Sequence, residues 1–249
     1  MRNRNPTAIR ERETPFGRGS PSGGDRVGDP RRLIQSVQRM NTFLKICGIT
    51  TVDDAKAAAD AGVDAVGLMF HEPSPRFIDK AAAISIVEAL PSSVAKVGVF
   101  VNADPAFVHE MITECRLNIA QFHGDETPGY CSQFPVRVWK AFRIRDEDSL
   151  KSLDDYETDA WLLDSHVKGV LGGSGERFNW DLAVAAGRRG VPIVLAGGLA
   201  PDNVADAIRQ VGPWGVDVSS GVESAPGTKD PAKMRELIRA ARAASSEGL

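Results

Sequence analysis

The chain has 249 residues, of which 42 % are hydrophobic and 25 % charged, with a formal net charge of -3. That balance is globular and excludes a disordered chain, a collagen or a coiled coil, and no run approaches the roughly 18 apolar residues of a membrane span. A length near 250 residues suits a single α/β barrel as well as two small domains.

The charge is split along the chain. Residues 1–40 hold nine Arg, no Lys and four acidic residues, a surplus of +5, while the other 209 residues carry -8. Gly, Pro, Ser and Arg dominate this leader and apolar residues are sparse, so residues 1–40 are expected to be a disordered basic leader, with a short helix conceivable at Arg31–Arg39. Met40 stands directly before the first strand signal, which favours a native start there. An organelle-targeting leader and a regulatory arm are the alternatives. The acidic body shows no clustered Lys and Arg of the kind a nucleic-acid surface needs. Cys47, Cys115 and Cys131 are odd in number and lack metal-like spacing, pointing to free thiols in a reducing compartment.

From residue 42 short apolar runs alternate with Ala-rich amphipathic segments. The runs are 43–47, 64–70, 95–101, 118–123, 136–142, 160–164, 192–197 and 215–220. Helices are expected near 51–61, 79–90, 104–115, 126–133, 146–154, 180–189, 201–210 and 230–244. Thr50, Asp104, Ala200 and Asp230 are read as helix starts, the last three followed by proline. Runs rich in Val, Ile and Leu between turn residues fit strands buried on both faces. Strict alternation predicts an α/β fold, a single (β/α)8 TIM barrel over residues 42–245. A doubly wound open sheet is the alternative, but no G-x-G-x-x-G follows the first strand.

In such a barrel, reactive groups project from the C-terminal strand ends. The loops after strands 6, 7 and 8 carry Gly173 and Gly175, Gly197 and Gly198, and Ser219, Ser220 and Gly221. Backbone N–H groups and hydroxyls there suit a phosphate, against the plain reading of tight turns. Cys47 ends strand 1 and Asp164 ends strand 6. A thiol and a carboxyl become base and acid near neutrality only if the first pKa is lowered and the second raised. Lys45 shares the parity of Cys47 and is the candidate cation for that shift; Cys47 as a small core residue is the alternative. Arg76, between prolines in Pro73-Ser74-Pro75-Arg76, offers a fork for a carboxylate. Asp217 has inward parity and is expected within about 4 Å of Lys45. His71 and His123 end strands without a third metal ligand.

The ordered set Lys45-Ile46-Cys47-Gly48-Ile49-Thr50, Pro73-Ser74-Pro75-Arg76, Val97-Gly98-Val99-Phe100-Val101-Asn102, Gln121-Phe122-His123-Gly124-Asp125-Glu126, Leu163-Asp164-Ser165, Gly172-Gly173-Ser174-Gly175, Leu195-Ala196-Gly197-Gly198-Leu199 and Asp217-Val218-Ser219-Ser220-Gly221-Val222-Glu223 resembles the phosphoribosylanthranilate isomerases of tryptophan biosynthesis. The resemblance implies an Amadori rearrangement with Cys47 as general base, Asp164 as general acid, Arg76 on the anthranilate end and the Gly/Ser loops on the phosphate. It implies a cytoplasmic enzyme, monomer or homodimer, acting on a small phosphosugar with no cofactor, metal, nucleic-acid or membrane partner. The sister isomerase of histidine biosynthesis typically has an aspartate where Cys47 stands. A flavin barrel and a non-catalytic phosphate sensor are more distant rivals.

Overall fold

The computed structural model describes residues 41–164 and 180–246. The expected leader, and the loop carrying Gly173 and Gly175, lie outside the described residues. Strands β1 (Phe43–Cys47), β2 (Ala65–Met69), β3 (Ala95–Phe100), β4 (Ile119–Phe122), β5 (Arg137–Arg143), β6 (Ala160–Asp164), β7 (Ile193–Ala196) and β8 (Gly215–Val218) form a closed barrel in sequential order. All its pairings are parallel, and β8 closes on β1 with Lys45 opposite Asp217. This is the predicted (β/α)8 barrel.

The helices outside it are α1 (Val52–Ala61), α2 (Lys80–Ala89), α3 (Pro105–Glu114), α4 (Pro128–Cys131), α5 (Trp180–Gly187), α6 (Val204–Val211) and α7 (Pro231–Ser246). Side-chain caps start several of them: Asp79 accepts from Ala82 N, Asp104 from Ala106 N and Asp230 from Ala232 N. Four expectations are corrected. The cap of α1 is Thr51, accepting from Asp54 N, and not Thr50. The fourth helix shrinks to a single turn over Pro128–Cys131. Segment 146–154 holds two 3₁₀ turns, Asp148–Leu150 and Leu153–Asp155, because Asp146 bonds the Ser149 N–H and hydroxyl and favours a tight turn. Pro201 precedes α6, which begins at Val204 after the Asn203 amide has bonded the Ala200 N–H.

The pleat separates two apolar populations. Outward strand residues such as Leu44, Ile46, Leu68 and Leu195 join the core against the helices, while Ala65, Val97, Ile119, Trp139, Leu162 and Val194 fill the barrel interior. At the N-terminal end Phe43 stacks on Trp214 at 4.5 Å, and both meet Trp139 edge-on. Arg242 of α7 donates to Thr42 O and Asp64 Oδ2, and Asp64 also accepts from Leu44 N. The last helix is thereby latched to the first strand at the barrel's base.

Candidate active site

Alternation along β1 points Phe43, Lys45 and Cys47 inward in ascending order. The Lys45 ammonium, fully buried, donates to Asp217 Oδ2 at 2.8 Å, as the shared parity predicted. Its charge also acts on the Cys47 sulfur above it. Gly67, opposite Cys47 on β2, makes the room: a Cβ there would lie 2.7 Å from the Cys47 Sγ and 3.0 Å from the Lys45 Nζ. Cys47 is only 7 % exposed. Burial pushes its thiol above the ordinary value of 9.0, outweighing the opposing pull of Lys45, while Asp217 adds to the rise. The expected net lowering by Lys45 is therefore absent, because the sulfur's loss of solvent outweighs the cation and the Asp217 carboxylate adds to it.

Asp164 ends β6 with the inward parity of Ala160 and Leu162, and its side chain is 19 % exposed. Its Oδ2 lies 3.2 Å from His123 Nε2, and His123 Nδ1 lies 3.2 Å from the Gln121 amide nitrogen. One ring nitrogen of His123 thus faces the Gln121 amide and the other faces the Asp164 carboxylate. The loop bearing His123 is pinned by Glu126, whose buried carboxylate accepts from the N–H groups of Asn102 and Gly124 and pairs with Lys140. The sequence reading left His123 without a role. Its parity with Gln121 at the end of the fourth strand was the available signal.

After β8 the chain makes a 3₁₀ turn, Ser220–Val222, and then a small hairpin, β9 (Glu223–Ala225) and β10 (Thr228–Lys229). Glu223 opens that hairpin as the first residue of β9. Its carboxylate takes Arg76 in a two-pronged bond, Nε to Oε1 at 2.8 Å and Nη2 to Oε2 at 2.7 Å, and Lys229 Nζ at 2.8 Å on Oε1. Burial raises the Glu223 carboxyl, but the bonds from Arg76 and Lys229 prevail and hold it below its ordinary range. Gly197 and Gly198 follow β7, while Ser219, Ser220 and Gly221 follow β8, with Gly221 packed on the Leu199 carbonyl. The structure thus brings Gly197, Gly198 and the 219–221 turn to one end of the barrel, the end that holds Cys47, Asp164 and Arg76. Among the described residues no cluster of three or more His, Cys, Asp or Glu could hold a metal ion, and no helix is long and apolar enough to cross a membrane. All three cysteines are buried free thiols.

A closed barrel with a thiol, a carboxylate and a cationic lip at its C-terminal end defines a (β/α)8-barrel enzyme. Comparison with known proteins makes this specific. Residues 44–240 match the family model described as N-(5'phosphoribosyl)anthranilate (PRA) isomerase, and the chain belongs to that family. N-(5'-phosphoribosyl)anthranilate isomerase of Citrifermentans bemidjiense is 53 % identical over 201 residues, covering 81 % of this chain and 97 % of the relative. The crystal structure of phosphoribosyl anthranilate isomerase from Thermotoga maritima is 38 % identical with a TM-score of 0.76, covering 84 % of this chain and 100 % of that one. A structure of that enzyme type in complex with reduced 1-(o-carboxyphenylamino)-1-deoxyribulose 5-phosphate is 36 % identical with a TM-score of 0.72, over 84 % of this chain and 100 % of that one.

Proposed function

We propose that this chain converts N-(5'-phosphoribosyl)anthranilate to 1-(2-carboxyphenylamino)-1-deoxyribulose 5-phosphate by an Amadori rearrangement in tryptophan biosynthesis. Asp164 gives a proton to the furanose ring oxygen. The bond from that oxygen to C1 breaks, and the anilino nitrogen lone pair forms the Schiff base. The Cys47 thiolate then removes the C2 proton, and the enolamine tautomerises to the ketose. Donor and acceptor are regenerated by proton exchange, so the step balances without hydride or electron transfer.

The observation that carries this reading is the placement of Cys47 and Asp164. Both have inward parity at C-terminal strand ends, and β7 and β8 separate their strands on the shorter way round the barrel. A sugar held between them meets acid and base from different walls. The turns at Gly197, Gly198, Ser219, Ser220 and Gly221, with Gly173 and Gly175 of the loop after β6, are the proposed phosphate anchor. Binding there fixes the sugar without taking part in the chemistry. Arg76 stands at the lip of β1, where its guanidinium suits the anthranilate carboxylate.

His123, facing Asp164, holds that carboxyl in orientation. A proton must be present on Asp164 for ring opening and absent from Cys47 for C2 abstraction. The test is direct. The purified chain is given N-(5'-phosphoribosyl)anthranilate and the loss of anthranilate fluorescence is followed. Loss matched by appearance of the ketose supports the reading, and a substrate left intact beyond its spontaneous decay overturns it.

A further inference from the structure

The bond between Arg76 and Glu223 raises a difficulty for the role just given to Arg76, and the answer identifies two more working residues. A guanidinium has two edges able to grip a carboxylate with paired N–H groups: the side edge, Nε with Nη2, and the end edge, Nη1 with Nη2. Glu223 occupies the whole side edge. Only the end edge remains for a ligand.

The arm is held firmly. Its stem lies across Gly48, where the backbone is left-handed (φ 74) and a side chain would strike the arginine methylenes. The hairpin that delivers Glu223 is anchored on several sides. Thr50 donates its hydroxyl to Gly227 O at 2.6 Å, Lys233 of α7 donates to Glu223 O at 2.8 Å, and Gly227 sits against the Pro75 carbonyl. Residue 76 and residue 223 lie 147 positions apart in the chain, so this register is tertiary and not local.

Charge decides the rest. A carboxylate bound to an arginine ordinarily cancels the field that would attract a second carboxylate. Here Lys229, with a fully buried side chain, bonds Glu223 Oε1 at 2.8 Å and the Ser219 carbonyl at 3.2 Å. Two cations share one anion, and the cluster keeps a formal surplus of one positive charge. The partly exposed member is Arg76, at 22 %, against 5 % for Glu223 and 0 % for Lys229. The surplus therefore faces the mouth through the guanidinium.

We propose that Glu223 and Lys229 are positioning residues for substrate recognition: Glu223 clamps Arg76 so that its end edge meets the anthranilate carboxylate, and Lys229 offsets the clamp's negative charge. The proposal rests on the reading of Arg76 as the carboxylate-binding group. Neither residue transfers a proton, and the Lys229 charge reaches the Cys47 thiol only as a secondary pull downward.

The test compares two substrates, N-(5'-phosphoribosyl)anthranilate and the same phosphoribosylamine made from aniline, which lacks the carboxylate. Turnover is followed by chromatography in the full-length chain and in Arg76→Ala, Glu223→Gln and Lys229→Met. A site built to bind a charged group discriminates against its absence by about 100-fold or more. Arg76→Ala should lose that discrimination. Glu223→Gln should lose at least about tenfold of it through a raised KM, with kcat changed by less than about threefold, the pattern of lost uniform binding. Lys229→Met, which leaves the bond from Arg76 to Glu223 in place, should raise KM by about 3- to 10-fold for the carboxylated substrate only, while any kcat loss from removing its pull on the Cys47 thiol falls on both substrates alike. A purely structural role would lower both substrates equally. If Arg76→Ala loses discrimination while Glu223→Gln and Lys229→Met keep it, the clamp is wrong and the Arg76 reading stands. If Arg76→Ala itself keeps discrimination, the Arg76 reading falls and takes the clamp with it. Should Glu223→Gln melt early, Glu223→Asp and Lys229→Met carry the same comparison.

Discussion

The two ends of this barrel are built from the same strands and obey different chemistry. At the base β1 contributes Phe43, β4 Ile119 and β6 Ala160, and aromatic rings close the floor. Two and four residues further along the same inward faces stand Lys45 and Cys47, Gln121 and His123, and Asp164. A parallel barrel points every strand the same way, so an inward face graded from apolar to polar becomes one dry end and one reactive end. The base contributes stability through burial, whereas the top keeps buried polar groups that cost stability unless paired.

That contrast can be broken at several points. The largest effects belong at the top: Cys47→Ala and Asp164→Asn should each lower kcat by at least about 1,000-fold with little change in melting temperature. A variant retaining near-native turnover would remove its residue from the proton transfers. At the base, Trp139→Ala should cost about 3–5 kcal/mol of stability, measured by denaturant unfolding, and leave turnover per folded molecule within about twofold. A loss of kcat with unchanged stability would mean that the floor shapes the site.

Lys45 lies between the two regimes. Lys45→Met strands the buried Asp217 carboxylate and should destabilise by about 3 kcal/mol. It should also raise the Cys47 pKa further, because the cation opposing burial is gone. Since the base must be deprotonated, the rising alkaline limb of kcat/KM then moves to higher pH; an unmoved limb would detach Lys45 from the sulfur.

A smaller effect is expected at high pH. Burial chiefly raises the Cys131 thiol from 9.0 to about 11, and Cys47 and Cys115 are raised as well. The unfolded chain releases these protons first, so this contribution is intact below about pH 9 and lost as pH rises toward 11. Thermal melts flat across that window would contradict it. The smallest change is expected from removing residues 1–39, since the family match begins at residue 44. Turnover and melting temperature should stay near those of the full chain, and a clear loss of either would give the leader a part in the barrel's work.

The barrel was legible because buried parallel strands write themselves as short apolar runs, and parity alone paired Lys45 with Asp217. The misread helices have local causes. Pro128 takes the first helical position behind the Thr127 cap, so the fourth helix starts later than expected, and it runs for a single turn to Cys131. Asp146 turns its own backbone. The hairpin that carries Glu223 and Lys229 was invisible, since strands of three and two residues hold no alternation to detect. The partnership of Arg76 with Glu223 is long-range and could only appear with the fold. The direction of the Cys47 shift was missed for a related reason: parity reveals the cation, and only packing reveals how much solvent the sulfur has lost.

Gly67 carries a further consequence. The Cys47 thiol occupies a notch that exists only because the neighbouring strand has no side chain at that level. One added methyl would evict the sulfur or the ammonium beneath it, so the permissible alphabet at position 67 is set by what stands at 45 and 47. Anyone placing a bulkier or differently charged side chain at position 47 will have to redesign those positions together.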